Sequence, residues 1–184
     1  MELFQDQTFE KITTLPLGEY ENCHFLSCDL SECDLSQIRL IDCVFDKCNL
    51  SMAKVGSTSM QHINFVDCKL HGIEWSQSAA FLFEVSFRDS LLDFGSFSGI
   101  KMQKTEFTGC HITEVNFAQA DLTGSIFDRC DLTGSIFQNT VLEKSDFTTA
   151  YGYALDPEQN KIKKALFSLE GISGLLVKYD IIVK

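Results

Sequence analysis

Proline is nearly absent: Pro16 and Pro157 are the only two in 184 residues. Both lie at the edges of the most regular stretch, so nothing in between interrupts a continuous backbone ladder. Tryptophan occurs once and tyrosine four times, against sixteen phenylalanines. An aromatic choice this biased suits one kind of slot filled over and over. Cations are scarce: 15 Lys/Arg stand against 26 Asp/Glu, for a net charge of −11. Residues 17–151 hold 19 acids and 9 cations, so nearly all the net charge sits there. Direct binding to phosphate backbones, which needs clustered Lys and Arg, is not expected. No run approaches the roughly 20 apolar residues of a membrane span, and Met1–Pro16 is acidic with no apolar core. A soluble, cytoplasmic protein with no membrane partner is the expectation.

Eight cysteines are present but no CxxC pair, and the four histidines are scattered. Zinc sites usually show tight ligand pairs, so no metal and no cofactor are expected. The cysteines have another explanation. Cys23, Cys28, Cys33, Cys43, Cys48, Cys68, Cys110 and Cys130 each fall two residues before a large apolar residue. In that slot a free thiol serves as a small hydrophobe.

The large residues set the pattern. Across Thr105–Phe147 (TEFTGCHITEVNFAQADLTGSIFDRCDLTGSIFQNTVLEKSDF) one returns at every fifth position: Phe107, Ile112, Phe117, Leu122, Phe127, Leu132, Phe137, Leu142, Phe147. A period of five fits neither a helix at 3.6 nor a flat strand at 2. It fits a chain that runs extended briefly and then turns a corner, with the large residue and the small one two before it both facing inward. Four corners close a coil of twenty residues. Like residues recur at that longer interval, most clearly in Phe25, Phe45, Phe65, Phe87, Phe107, Phe127, Phe147 and Phe167. The column holds only if two extra residues bulge out within Ser76–Ala79, so that the large positions pass from Trp75 to Leu82. Twenty-six such positions run from Tyr20 to Phe147, and all are apolar or aromatic.

The flanks differ. Phe4 and Phe9 are five apart but out of phase, which predicts an N-terminal cap over residues 1–16 before the repeat over 17–151. Residues 152–184 then supply a loop, a partial coil and a C-terminal cap. Leu169, Ile172, Leu175, Leu176 and Tyr179 share one helical face, although Gly171 and Gly174 weaken a helix. Asp180–Val183, with Ile181 and Ile182, reads as a closing strand. The apolar face and open edge together form a candidate dimer interface.

The five-residue array and the opening YENCHFLSCDLSECDLS resemble the pentapeptide-repeat family over about four fifths of the chain. The resemblance implies an all-β, right-handed, four-sided parallel β-helix. It also implies a non-enzymatic protein. The characterised members, of the quinolone-resistance and gyrase-inhibitor type, are dimeric rods, several of them joined through a C-terminal module. Their shape and negative charge resemble duplex DNA, and they act on DNA gyrase or topoisomerase IV. This chain departs from that type by lacking long projecting loops. A structural or scaffolding module with another protein partner is the alternative. An acidic stripe along one face favours mimicry of DNA, and an even spread favours scaffolding.

Other constellations have plainer readings. Asp29, Asp34, Asp121, Asp131 and Asp146 each precede a large residue and are read as corner-forming, not as acid–base pairs. The glycine of TGSIF, twice present, belongs to a corner and lacks phosphate-loop spacing. Phe81, Phe83, Leu91 and Phe94 are off the pattern and should face outward just after the bulge. As an exposed apolar patch they are a candidate partner site. The plainer reading is that they cover the bulge or pack on one another.

Overall fold

A computed structural model describes residues 1–79, 81 and 83–182. Twelve short strands form one parallel ladder: β1 (Glu2–Gln5), β2 (Thr8–Glu10), β3 (Gly18–Glu21), β4 (His24–Leu26), β5 (Arg39–Ile41) and β6 (Val44–Asp46), then β7 (Ser59–Val66), β8 (Phe83–Arg88), β9 (Glu106–Thr108), β10 (Ile126–Asp128), β11 (Asp146–Phe147) and β12 (Leu166–Phe167). They occupy two sides of the coil. The other two sides are held by isolated parallel bridges such as Asp29–Asn49, Asn49–Lys69 and Asn116–Ile136. The result is a right-handed four-sided solenoid of about eight turns.

The corners explain the period. The residue two after each large one repeatedly takes the left-handed conformation, as at Asn22, Ser27, Asp42, Lys47, Gly124 and Gly134. A single left-handed residue per corner redirects the chain without a break in the ladder. Glycine and asparagine adopt it at little cost, but Lys, Gln, Arg and Met also stand there. Coil-to-coil bonds outweigh the local strain.

The shaft is filled as the spacing predicts. The phenylalanine column is stacked without a gap, and Phe9 extends it at the N-terminal end. Ring centroids are 4.4 Å apart at Phe25–Phe45 and 5.4 Å at Phe65–Phe87, across the insertion. A second ladder, Trp75–Phe97–Phe117–Phe137, stacks beside it. The two meet edge to face, as at Phe107–Phe117 with centroids 6.3 Å apart and planes at 86°. Each such pair adds about 0.5–1.5 kcal/mol beyond area burial.

The small inward slots carry a second device. Cys43, Cys48 and Cys68 donate to the carbonyls of Tyr20, Phe25 and Phe45, 23 residues earlier. Thr58, Thr140 and Ser145 donate to Leu35, Phe117 and Leu122 in the same way. Thiol and hydroxyl are interchangeable there because each is small and each can satisfy a carbonyl at a buried corner.

The structure corrects the sequence reading at three places. First, Phe4 and Phe9 join the stack. They pair with Tyr20 and Phe25, sixteen residues on, so the first coil is four residues short and its phase is displaced. Second, Phe83 was expected to face outward but is 4% exposed. It pairs with Met60 and packs edge-on to Trp75 and Phe97. Leu82, assigned to that slot, lies outside the described residues. The register then recovers within β8, where Val85 pairs with Ile63 and Phe87 with Phe65. Third, the C-terminal segment has no α-helix. It forms two 3-10 turns, Ile172–Leu175 and Val177–Tyr179. No strand forms over residues 180–182, and Val183 lies outside the described residues. The glycines explain the turns: a Cβ on Gly171 would strike the Tyr153 hydroxyl, and one on Gly174 would strike the Tyr153 carbonyl and ring. The segment lies flat on Tyr153, with the Leu155 amide bonded to the Gly174 carbonyl at 2.9 Å. Lys178 pins it to Asp156 at 2.8 Å and Glu158 at 2.7 Å.

Burial also governs the thiols. All eight are free, and only Cys33 is not fully buried. Burial pushes Cys43 up to about 11. The contact between Cys48 and Cys68 pushes the Cys48 thiol up and the Cys68 thiol down, while burial raises both. Since the thiolate is the reactive form, an aromatic disulfide reagent at pH 8 should label one thiol per native chain, Cys33, and all eight after denaturation. Fast labelling of several thiols in the native protein would contradict the closed stack.

Candidate interaction surface

The rod presents four sides, each built on its own inward column. Side one carries the inward column Tyr20, Leu40, Met60, Phe83, Met102, Leu122, Leu142 and Ile162. Side two carries the phenylalanine column. Side three carries Leu30, Leu50, Leu70, Leu92, Ile112 and Leu132, and side four Leu35, Val55 and the second aromatic ladder. Outward residues flank each column and form columns of their own.

The acid is not evenly spread. Within residues 17–151, sides two and three hold eleven carboxylates against four cations: Lys47, Lys69, Arg88 and Arg129. Side four is nearly neutral, with Asp34, Lys54 and Glu74 as its charges and mostly Ser, Gln and Asn elsewhere, apart from the exposed Ile136. Side one is split, acidic toward the N-terminus and basic toward the C-terminus.

The corner carboxylates are structural, as the sequence implied. Asp34 accepts from the Ser36 amide at 2.9 Å, and Asp146 from the Thr148 amide at 2.8 Å. Asp131 accepts from the Thr133 amide at 3.0 Å. Hydrogen bonds hold the carboxyls of Asp29, Asp34, Asp121 and Asp128 low. The Ser31 hydroxyl does so for Asp29, the Ser36 side chain for Asp34, and Thr149, then Arg129, for Asp128. At Asp121 partial burial raises the group, and bonds from Thr123 and Gln103 outweigh it. The histidines stay apart. His62 lies 3.0 Å from Asp42 and 2.7 Å from Glu84, and His71 lies 3.3 Å from Asp93 on another side.

The four off-pattern residues do not form one patch. Phe83 is inside. Leu91 is half-buried within the bridge column Lys69–Leu91–His111. Phe81 is 80% exposed and Phe94 60% exposed, on opposite edges of side four. Phe94 has a φ of 62°, a strained choice for an aromatic residue. It is therefore both exposed and conformationally costly, and packing does not account for it. Met52, missed in the sequence, stands in the same corner column with Gly72 between them and is 60% exposed. At the C-terminal end Leu169, Ile172, Tyr179, Ile181 and Ile182 are exposed, whereas Leu175 and Leu176 are half-buried and Leu175 touches the core. A groove of about 820 Å³ opens there beside Tyr151, Tyr153, Gly174 and Leu176.

A stack of equivalent coils, uniform inside and varied only outside, defines a solenoid repeat protein. The chain belongs to the pentapeptide-repeat family. One family model, a pentapeptide repeat region, matches residues 19–97, and another, pentapeptide repeats in 8 copies, matches 96–128 and 125–150. Comparison with curated protein sequences gives no match. Among solved structures, full-length QnrB1, a plasmid-mediated fluoroquinolone resistance protein, superposes with a TM-score of 0.65 at 17% identity, over 97% of this chain and 100% of that one. HetL, a pentapeptide repeat protein involved in heterocyst differentiation regulation in the cyanobacterium Nostoc sp. strain PCC 7120, gives 0.47 at 15%, over 92% and 85%. No helix among the described residues is long and apolar enough to cross a membrane.

Two outcomes follow. Phe83→Ser should destabilise by about 3–5 kcal/mol, the range for emptying a buried aromatic slot, while Phe81→Ser should shift the thermal midpoint by no more than about 2 °C. Equal effects would place Phe83 outside the shaft. In acid the sign is set by the lowered carboxyls. Their folded values lie below the unfolded value of about 3.9, so their stabilisation is complete above that pH and is lost as pH falls through the folded values. Thermal melts in 0.15 M salt should be level from pH 7 to 5 and fall below pH 4. A rise below pH 4 would mean that relief of the net negative charge outweighs these bonds.

Proposed function

We propose that this protein is a non-enzymatic rod that presents an acidic surface to a macromolecular partner, acting as a mimic of duplex DNA toward DNA gyrase or topoisomerase IV. The observation that carries the reading is the distribution of acid. The two adjacent sides with eleven carboxylates and four cations form a stripe, not an even coat. A stripe of one sign on a rigid support steers a basic groove toward it. The likeness of the fold to QnrB1, a fluoroquinolone resistance protein, agrees with this reading. The charge density sets its scale. A net charge of −7 over seven rows, about 30 Å, is one charge per roughly 4 Å, against one per about 1.7 Å in DNA. Such a rod competes with DNA through shape and placement more than through charge.

The rod acts as a homodimer joined at its C-terminal end. Exposed Leu169, Ile172, Tyr179, Ile181 and Ile182 supply the apolar contact, and the groove beside Tyr153 receives it. Scaffolding of another protein is the second reading. Its support is Phe94, exposed and strained, with Met52 in the same corner column and Phe81 across side four.

A supercoiling assay with purified gyrase, with and without this protein, decides between them. Inhibition or altered drug sensitivity at micromolar concentration, lost when Asp89, Asp128 and Asp131 are replaced by Asn, supports mimicry. No effect at that concentration removes it, and pull-down lost on Phe94→Ser then supports scaffolding.

A further inference from the structure

Side one is built to pair with itself, and we propose that a second copy of this chain docks on it antiparallel. Beyond the Phe4 row of the short first coil, eight rows run along the side, one for each inward residue from Tyr20 to Ile162. The first of these eight carries Glu19 and Glu21, and the last carries Lys161, Lys163 and Lys164, all outside the shaft. Charge therefore reverses from one end of the side to the other within a chain whose net charge is −11. The basic end lacks internal partners: among the described residues, none of Lys101, Lys104, Lys144, Lys161, Lys163 and Lys164 forms an ion pair, and all six are exposed.

The two-fold geometry makes this reversal specific. An isologous contact between two antiparallel rods has its axis in the plane of contact and perpendicular to the rods. That operation reverses the order of rows and keeps each outward column facing its own copy. With the axis between the Phe83 and Met102 rows, the midpoint of the eight, the first row faces the eighth. Glu19 then faces Lys161, because both immediately precede an inward residue, and Glu21 faces Lys163, because both immediately follow one. The second row faces the seventh, so Asp42 at its left-handed corner meets Lys144 at the equivalent corner. Arg39 meets Val141, and Glu143 meets Ile41. The two central rows bring Glu84 opposite Gln103, with Lys104 next to it. Among the described residues, no column sets like charges against each other.

The alternative occupant is a polyanion on the lysines alone. It would leave the acidic half of the same side unused, with Glu19 keeping only Arg39 at 3.0 Å and Asp42 only His62 at 3.0 Å, and the acid of the other sides would repel it. The second copy uses both halves. At 0.15 M salt the Debye length is about 8 Å, so charges on the far sides are screened while pairs in contact are not. Eight rows span about 34 Å, and a side on the order of 10 Å wide gives a contact in the range of weak, reversible associations.

The experiment is sedimentation equilibrium at about 0.1 mM protein in 0.15 M salt, carried out in a Leu169→Ser, Ile182→Ser background so that the C-terminal end does not contribute. The parent should dimerise, and 1 M salt should weaken the dimer about tenfold. Lys161→Glu with Lys163→Glu in one chain, and Glu19→Lys with Glu21→Lys in another, should each lose self-association by at least about tenfold. An equimolar mixture of the two should recover it, because both ends of the mixed dimer are again oppositely charged. Circular dichroism checks that each variant is folded. A monomeric parent, unaltered dimers in the single variants, or a mixture that stays monomeric would each overturn the proposal. A 20-base-pair duplex bound by the monomeric parent and lost on Lys161→Glu with Lys163→Glu would instead assign the lysines to nucleic acid.

Discussion

The width of the shaft is the constraint on which everything else rests. Coils related by one strand spacing must present the same cross-section, because each is hydrogen-bonded to the next on every side. One large side chain per corner sets that cross-section. The two aromatic ladders then lock it, since rings that stack along each column and meet edge to face between columns leave no freedom to slide. A coil with a missing or misplaced residue has only two options. It can be short at the end of the stack, as at Phe4 and Phe9, or it can extrude its surplus, as between Trp75 and Phe83.

That rigidity separates inside from outside. Inward slots accept apolar residues, together with small donors such as Cys48, Thr140 and Ser145 that reach a carbonyl. Outward positions answer to no packing rule beyond the left-handed corner and the carboxylate that accepts from the amide two residues on. Charge can therefore be arranged on the sides at almost no cost to the fold. The acidic stripe on sides two and three, the neutral side four and the reversed charge of side one are three independent surfaces on one support. Phe94 stands at such a corner with its ring exposed, held by the same coil-to-coil bond as its neighbours, from its amide to the Thr113 carbonyl.

The two ends of the rod are handled differently. At the N-terminus the short first coil covers the stack with Phe4 and Phe9 and leaves β1 and β2 paired on one edge only. At the C-terminus the chain turns back and is clamped by Lys178 and by the close approach of two glycines to Tyr153. A helix would not lie that close. The exposed apolar residues there are what remains when a segment covers a core with its backbone instead of with a side-chain face.

Most of the architecture was legible because its cause is local and repeated. A large residue at each fifth place, a small one two before it and like residues at twenty are visible without coordinates, and they led to the coil, the phenylalanine column and the inward cysteines. The choice between Leu82 and Phe83 was not legible. Both are apolar and adjacent, and the decision depends on Trp75 and Phe97 from neighbouring coils. The phase of Phe4 and Phe9 was misleading because a shortened coil can be recognised only from the coil it pairs with. The lysines of side one appear in the sequence as scattered residues between positions 101 and 164. Only the winding of the chain brings them onto one side opposite in sign to Glu19 and Glu21. Sequence alone settled what turns inward wherever the period of five is unbroken, since that is decided residue by residue through hydrophobicity and period. Tertiary structure decided which outward residues are neighbours, since that depends on how residues twenty apart come to lie one strand spacing from each other.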